Sequence, residues 1–295
     1  VGSEMCIRDR LCELGRPTVA LLLNAMAAHL QGFGTVDDVA VAKGEIFDGL
    51  GEGGHAIINA DQPWAAAWRE RAGPATILDF GVSAPAAVRA ADIRSLGLAG
   101  RRCTAGTPVG DMAVKLALPG AHNVGNALAA TAVGLACGLE LAEIQAGLEA
   151  VLATEGRLTV GESAQGAALI DDCYNANPGS VHAAIDMLAG CEGRRTLLLG
   201  AMRELGPGSR DLHREVGVYA RSAGIEQLCG VGPELLEAVE AFGPGGRYFP
   251  DRDAAIVALT SEFGPEDTVL VKGSRGARME QVLHALQATV PAGEG

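Results

Sequence analysis

The chemistry-bearing residues of this 295-residue chain gather in a few short clusters. The densest is Asp171-Asp172-Cys173-Tyr174-Asn175-Ala176-Asn177-Pro178, where an apolar run stops at two adjacent carboxylates and a polar loop follows. Asp171, Asp172, Tyr174, Asn175 and Asn177 are candidate site residues, because ligands of open α/β sheets collect where strands end. The same residues would also suit an acidic turn that only caps a helix, and both readings stay open. Asn123 and Asn126 lie three apart, so on a helix they share a face and could offer an amide edge to a purine, or cap the helix start. Arg157 could meet a ligand or form an ion pair with Asp171 or Asp172. His29 could hold a metal, although a lone histidine is more often structural. Lys272 and Arg275 follow an apolar run and could hold a carboxylate or phosphate, or sit on a charged surface. Met202-Arg203-Glu204-Leu205-Gly206, with His213 beyond it, completes the set.

These clusters need elements to position them. Residues 18–23 and 55–59 are short apolar runs that read as buried parallel strands, and both end in asparagine-bearing loops. Residues 36–50 carry apolar positions at helical spacing with Asp37 and Asp38 in the first turn. Further helices are expected at 64–71, 122–133 and 141–152, a strand at 76–80, and extra β structure near 102–104 and 112–118. Near Ala153 the pattern resets. Strands at 168–171, 196–199, 227–231, 247–249 and 268–271 then alternate with helices at 181–188, 211–223, 233–241, 253–263 and 279–288. That alternation describes a doubly wound domain with a mostly parallel sheet. Asn177 and Pro178 suit the N-cap and first position of the helix behind the carboxylate pair. The fold class is therefore α/β throughout.

Hydrophobic residues make up 48% and charged residues 20% of the chain, enough for a full core. The net charge of −13 excludes the basic footprint of a non-specific nucleic-acid or anionic-membrane binder. Seven scattered cysteines without a C-x-x-C pair point to reduced thiols in the cytosol. Residues 17–27 resemble a signal core, but Glu4, Asp9 and Glu13 spoil the charged flank and Asn24 interrupts the apolar run. No apolar run reaches the roughly 18 residues that would span a bilayer. No Gly-x-Gly-x-x-Gly follows a strand, which disfavours a nicotinamide-binding enzyme.

In this order and spacing the clusters resemble the Mur ligase family from Val19 to Leu286. The residues that carry the resemblance are Ala28-His29-Leu30-x-Gly32-Phe33-Gly34, Ala42-Lys43-Gly44-Glu45-Ile46-Phe47, His122-Asn123-x-x-Asn126, Asp171 to Pro178, Met202-x-Glu204-Leu205-Gly206 and Val271-Lys272-Gly273-Ser274-Arg275. The resemblance implies residues 11–153 as the remainder of a central ATPase domain with a mixed or parallel sheet. It implies residues 154–295 as a Rossmann-like, doubly wound domain that holds an amino acid or dipeptide, with residues 1–10 a tail or artefact outside the family pattern. The implied activity is ATP-driven amide formation in peptidoglycan precursor synthesis, through an acyl phosphate, by a monomeric cytoplasmic enzyme. Its substrates would be a UDP-N-acetylmuramoyl-tripeptide and D-alanyl-D-alanine, with neither nucleic acid nor membrane as partner. A sibling that adds another amino acid, or a non-catalytic binder of nucleotide or dipeptide, are the alternatives.

By position, His29 would be a magnesium ligand, and Lys43 would be carbamylated and support a second magnesium. His29, Lys43 and Arg157 would form the catalytic set. Asn123, Asn126, Arg157 and Asp172 would hold ATP, with Asp172 toward the ribose. Asn175, Asn177, Lys272 and Arg275 would face the dipeptide and acyl phosphate. The family's Gly-Thr-x-Gly-Lys-Thr/Ser loop, whose backbone N–H groups cradle phosphates, is not among the 295 residues. Neither are its UDP-sugar domain and a magnesium-sharing glutamate. The expectation is an N-terminally truncated ligase that does not turn over by itself.

Overall fold

The computed structural model describes the backbone of residues 14–27 and 30–288, and their side chains except those of residues 30 and 31. The expected tail at 1–10 and the candidate ligand His29 lie outside the described residues. The chain divides into two compact units, residues 1–152 and 153–295.

In the first unit the elements run β1 (Val19–Leu22), α1 (Leu30–Phe33), α2 (Val36–Gly44), β2 (His55–Asn59), α3 (Ala65–Arg71), β3 (Thr76–Gly81), β4 (Val88–Ser95), β5 (Arg101–Thr107), β6 (Gly110–Leu116), α4 (His122–Ala136) and α5 (Leu141–Glu149). The six strands pair in sequence order. Pairing is parallel from β1 to β4 and antiparallel from β4 to β6, so the sheet is mixed. Alternation along β2 explains how both faces of the parallel part are covered. Ile57 joins Phe80, Val124, Leu128 and Ala132 on one side, whereas Ala56 and Ile58 join Ala20, Leu22, Phe47 and Trp68 on the other. The antiparallel part is covered once: Cys103, Ala105, Met112, Val114 and Leu116 point to the core, and their neighbours point outward.

The helix expected over 36–50 is shorter. It ends at Gly44, and a 3₁₀ turn at Glu45–Gly49 replaces its last part. Gly44 packs so closely on Trp68 that a Cβ there would lie 3.0 Å from the indole Cδ1. Thr35 and Asp38 cap the start reciprocally, each side chain accepting the other's backbone N–H.

In the second unit β7 (Thr159–Glu162), β8 (Ala168–Asp172), α6 (Pro178–Ala189), β9 (Arg194–Gly200), α7 (Ser209–Ser222), β10 (Gln227–Val231), α8 (Leu236–Phe242), β11 (Gly246–Phe249), α9 (Arg252–Leu259), β12 (Asp267–Lys272) and α10 (Glu280–Gln287) alternate. The strand order is β11-β10-β9-β12-β8-β7. All neighbours are parallel except β7, an antiparallel edge strand that sequence periodicity did not show. Leu169, Leu198, Val269 and Val271 meet α9 and α10 on one face. Ile170, Leu197, Leu199 and Leu270 are fully buried on the alternate pleat, and α6 packs on β9 and β12. The chain leaves β9 toward β10 on one side, whereas β12 inserts on the other, so the strand order reverses between β9 and β12.

Candidate functional site

A reversal of strand order opens a crevice at the carboxyl ends of the strands. Here β8 and β12 end level with each other, Asp172 opposite Lys272, and Lys272 is also in register with Leu199 of β9. Lys272 is 2% exposed. Its ammonium donates to Asp172 Oδ2 at 2.5 Å and to the Asn175 carbonyl at 2.9 Å. One buried cation thus fixes both a carboxylate and the loop behind it. Burial raises the Asp172 carboxyl above its ordinary value, Lys272 and Arg157 oppose that rise, and neighbouring Asp171 adds to it. Asp171 acts as a local brace: its carboxylate accepts the N–H groups of Gly156 at 3.0 Å and Cys173 at 3.1 Å.

Above this floor the Arg157 guanidinium stacks over the half-exposed Tyr174 ring, 4.1 Å from its centroid, and that of Arg275 lies 5.9 Å from the same centroid. Two cations therefore share one aromatic platform, an arrangement suited to an anion held beside them. Of the two partners open to Arg157 from the sequence, neither Asp171 nor Asp172 is in ion-pair contact with it. Asn177 caps α6 as expected: its side-chain oxygen accepts the Ser180 N–H at 2.9 Å, and Ser180 Oγ accepts the Asn177 N–H at 3.0 Å. Asn175 Oδ1 accepts the Ala176 N–H at 2.9 Å. Both asparagines use their carbonyl ends on backbone, leaving the NH2 ends as donors.

The loops after β9 and β12 are tied together by Ser274, a member of the Lys272-to-Arg275 motif to which the sequence assigned no role. Ser274 is 4% exposed, and its Oγ and N–H both donate to the Ala201 carbonyl, at 2.7 and 3.0 Å. Behind them His213 is fully buried on α7; Nε2 accepts the Met202 N–H at 3.0 Å, and Nδ1 donates to the Ser209 carbonyl at 2.7 Å. Those bonds require a neutral imidazole, and burial lowers its proton affinity. The unfolded chain, with a histidine value near about 6.5, then binds a proton that the native state refuses, so stability falls as pH drops below that value. Urea titrations at pH 7.5 and 5.5 should show this loss in the native sequence and a smaller pH dependence in His213→Gln.

In the first unit the strand ends form a separate network. The Lys43 ammonium donates to the Asn24 carbonyl at 2.9 Å beside a cleft lined by Leu21, Leu22, Leu23 and Ile46. Asn59 Nδ2 donates to the Leu23 carbonyl at 2.8 Å. Two residues past β2, the Asp61 carboxylate gathers the N–H groups of Val82, Ser83 and Ala84 at 2.6–2.9 Å. Asn123 is nearly buried; its Nδ2 donates to the Pro119 carbonyl at 2.7 Å, and its Oδ1 accepts from Asn126 Nδ2 at 3.0 Å. Asn123 thus orients the Asn126 amide, whose carbonyl oxygen accepts no hydrogen bond among the described residues. Among the described residues no group of three His, Cys, Asp or Glu side chains could hold a metal ion. The described cysteines are all free, and no described helix is long and apolar enough to cross a membrane.

Residues 1–134 match the profile of the Mur ligase middle domain, and residues 156–275 that of the Mur ligase glutamate ligase domain. The chain is 42% identical over 276 residues to the UDP-N-acetylmuramoyl-tripeptide–D-alanyl-D-alanine ligase of Escherichia coli strain K12, and 36% identical to that of Haemophilus influenzae. The first alignment takes in 93% of this chain and 61% of the relative. A crystal structure of MurF from Acinetobacter baumannii superposes with a TM-score of 0.88 at 32% identity, covering 95% of this chain and 62% of that one. MurF ligase from Thermotoga maritima, solved in complex with ADP, gives 0.81 at 25% identity, with 95% and 64% covered. The chain thus spans about three fifths of the length of these relatives.

Proposed function

Since the chain belongs to the Mur ligase family, we propose that it forms part of an ATP-dependent amide ligase of peptidoglycan precursor synthesis. In this reading D-alanyl-D-alanine is joined to a UDP-N-acetylmuramoyl-tripeptide in the cytoplasm. The peptide's terminal carboxylate takes the γ-phosphoryl group of ATP, releasing ADP; the dipeptide amine then attacks the acyl carbon and gives up a proton, and inorganic phosphate leaves as the amide C–N bond forms.

The observation that carries the assignment is the cationic platform over a braced carboxylate at the ends of β8 and β12. Arg157 and Arg275 offer planar donors to an oxyanion, and the asparagine NH2 groups of Asn175 and Asn177 suit the dipeptide's backbone or carboxylate. Asp172 offers its second oxygen to a ribose hydroxyl while Lys272 holds the first. Lys272 is then a positioning residue, because its ammonium is spent inside the protein. Asn126, oriented by Asn123, contributes the acceptor edge for adenine.

Magnesium is proposed at Lys43 and His29. A carbamate on Lys43 would supply the hard oxygen that magnesium prefers, and its remaining N–H would keep the bond to the Asn24 carbonyl. The donors within the described residues do not complete such a site by themselves. Bound there, the ion would neutralise phosphate charge.

The test is phosphate release from ATP by the full-length gene product, offered D-alanyl-D-alanine, a diamino acid or D-glutamate with the UDP-sugar peptide. Turnover with the dipeptide alone is expected, and turnover with another amine would assign a sibling activity. The 295 residues by themselves should bind ligand without releasing phosphate, because no Gly-Lys-Thr/Ser loop lies among them.

A further inference from the structure

The outward face of β4, β5 and β6 carries a feature that the ligase reading does not use. Arg94 pairs directly with Arg102, and Arg102 directly with Lys115, so three cations form one row across three strands. Side chains in such positions stand about 4.5–5.5 Å apart at Cβ, and like charges directly opposed destabilise a sheet. All three are exposed, and none forms an ion pair among the described residues. The row stands out in a chain whose net charge is −13.

The row is also not what plain alternation would produce. Ala91 pairs with Thr104, so an unbroken ladder would set Ile93 opposite Arg102. A bulge intervenes, with Asp92 at a left-handed φ of 52°, and brings Arg94 into that place instead. Bulges re-aim side chains at functional surfaces, and a non-glycine residue at positive φ costs stability. Beside the row lies a cleft of about 480 Å³ formed by Arg102, Ala113, Val114, Lys115, Ala117 and Glu149, a volume that admits a small organic anion. Glu149 is the one acid in its wall; Oε1 accepts the Lys115 backbone N–H at 3.2 Å. Its charge directs an anion toward the arginine side of the cleft.

We propose that this face is a binding site for a small, multiply charged phosphate ester, held by Arg102 with Arg94 and Lys115. Arginine favours phosphate because its planar fork meets two oxygens at once. The site lies wholly in the first unit and stands whether or not the ligase assignment holds.

Pyrophosphate titrated into the ¹⁵N-labelled 295-residue chain tests it. Saturable amide shifts are expected across residues 101–104 and 112–116. Arg102→Gln with Lys115→Gln should weaken these shifts by about tenfold or more, and Glu149→Gln should tighten them. All three positions are on the surface, so the variants' remaining spectra report intact folding. Arg102→Gln alone should raise the melting temperature without ligand, because the middle charge of the row is gone. Absence of shifts at these residues, shifts indifferent to the variants, or an equal response to citrate would each overturn the proposal, as would a lower melting temperature for Arg102→Gln.

Discussion

Replacing Lys272 by methionine should lower the unfolding free energy by about 3–5 kcal/mol, the range seen when one partner of a buried ion pair is removed. Lys272 and Asp172 have only 3% and 16% of their side chains exposed, so water cannot stand in for the lost ammonium. The Asn175 carbonyl loses its donor as well, and the loop that carries Tyr174 and Asn175 loses its anchor. Burial already holds the Asp172 carboxyl above its ordinary value, and without Lys272 it must rise further. A raised native value means that the folded state takes up a proton more readily than the unfolded chain. Stability is then lost as pH climbs from the unfolded carboxyl value of about 3.9 toward the native one. Lys272→Met should therefore be more damaging at pH 8 than at pH 5, and Asp172→Asn in the same chain should restore much of the loss. Urea denaturation of the native chain, Lys272→Met and the double variant at both pH values measures this. Equal damage at the two pH values would show that Asp172 is not left as an uncompensated charge. Arg210, whose side chain is 79% exposed in its contact with Glu237, is the control: Arg210→Ala should leave the midpoint nearly unchanged.

The contrast between Asn177 and Lys272 shows what could be read from the sequence. Asn177-Pro178 announces a helix start because the cap, the proline and Ser180 are neighbours, and the structure forms that cap in full. The ends of β8 and β12 were legible for the same reason: apolar runs stop where polar residues begin. Lys272 and Asp172 are 100 residues apart, so nothing local tells that one neutralises the other. A separation of 73 residues likewise hides the tie from Ser274 to Ala201, whereas His213 lies only 11 residues from Met202 and its burial follows from the packing of its helix, which local spacing does not show. Edge strand β7 escaped notice because four residues with one exposed valine carry too little alternation to register. The family pattern placed Arg157 near a ligand, yet its stacking on Tyr174 needed the turn at Gly156, which puts the two side by side with the Tyr174 N–H on the Gly156 carbonyl at 3.0 Å. Beyond Gly44 the helix gives way to a 3₁₀ turn, and Gly44 itself is kept free of a Cβ by the indole of Trp68, a tertiary contact that helical periodicity does not encode.

Gly217 marks a second position where a tertiary contact decides the residue, and replacing it should have the other large effect. It lies on α7, and a Cβ there would fall 2.0 Å from the carbonyl oxygen of Ala238 and 2.8 Å from its carbon. The obstacle is the backbone of α8, which cannot swing away as a side-chain tip would. Ordinary helix propensity favours alanine over glycine by about 1 kcal/mol, so an exposed site would gain from the exchange. Here overpacking reverses the sign, and Gly217→Ala should destabilise by about 1–3 kcal/mol, with Gly217→Val worse still. The consequence extends to the crevice, because His213 precedes Gly217 by one helical turn on the same buried side and holds the Met202 N–H. A wedge between α7 and α8 should therefore loosen the loop that begins at Ala201. Hydrogen exchange at the Met202 amide should accelerate in Gly217→Ala by more than at Leu169, in a strand remote from the α7–α8 contact. Gly224 lies just past the end of α7 at φ 80° with nothing within 4 Å of a Cβ, so Gly224→Ala is strained only locally and should leave Met202 protected. Equal acceleration in both variants would mean that the amide reports global stability, and that α7 does not transmit its packing to the site.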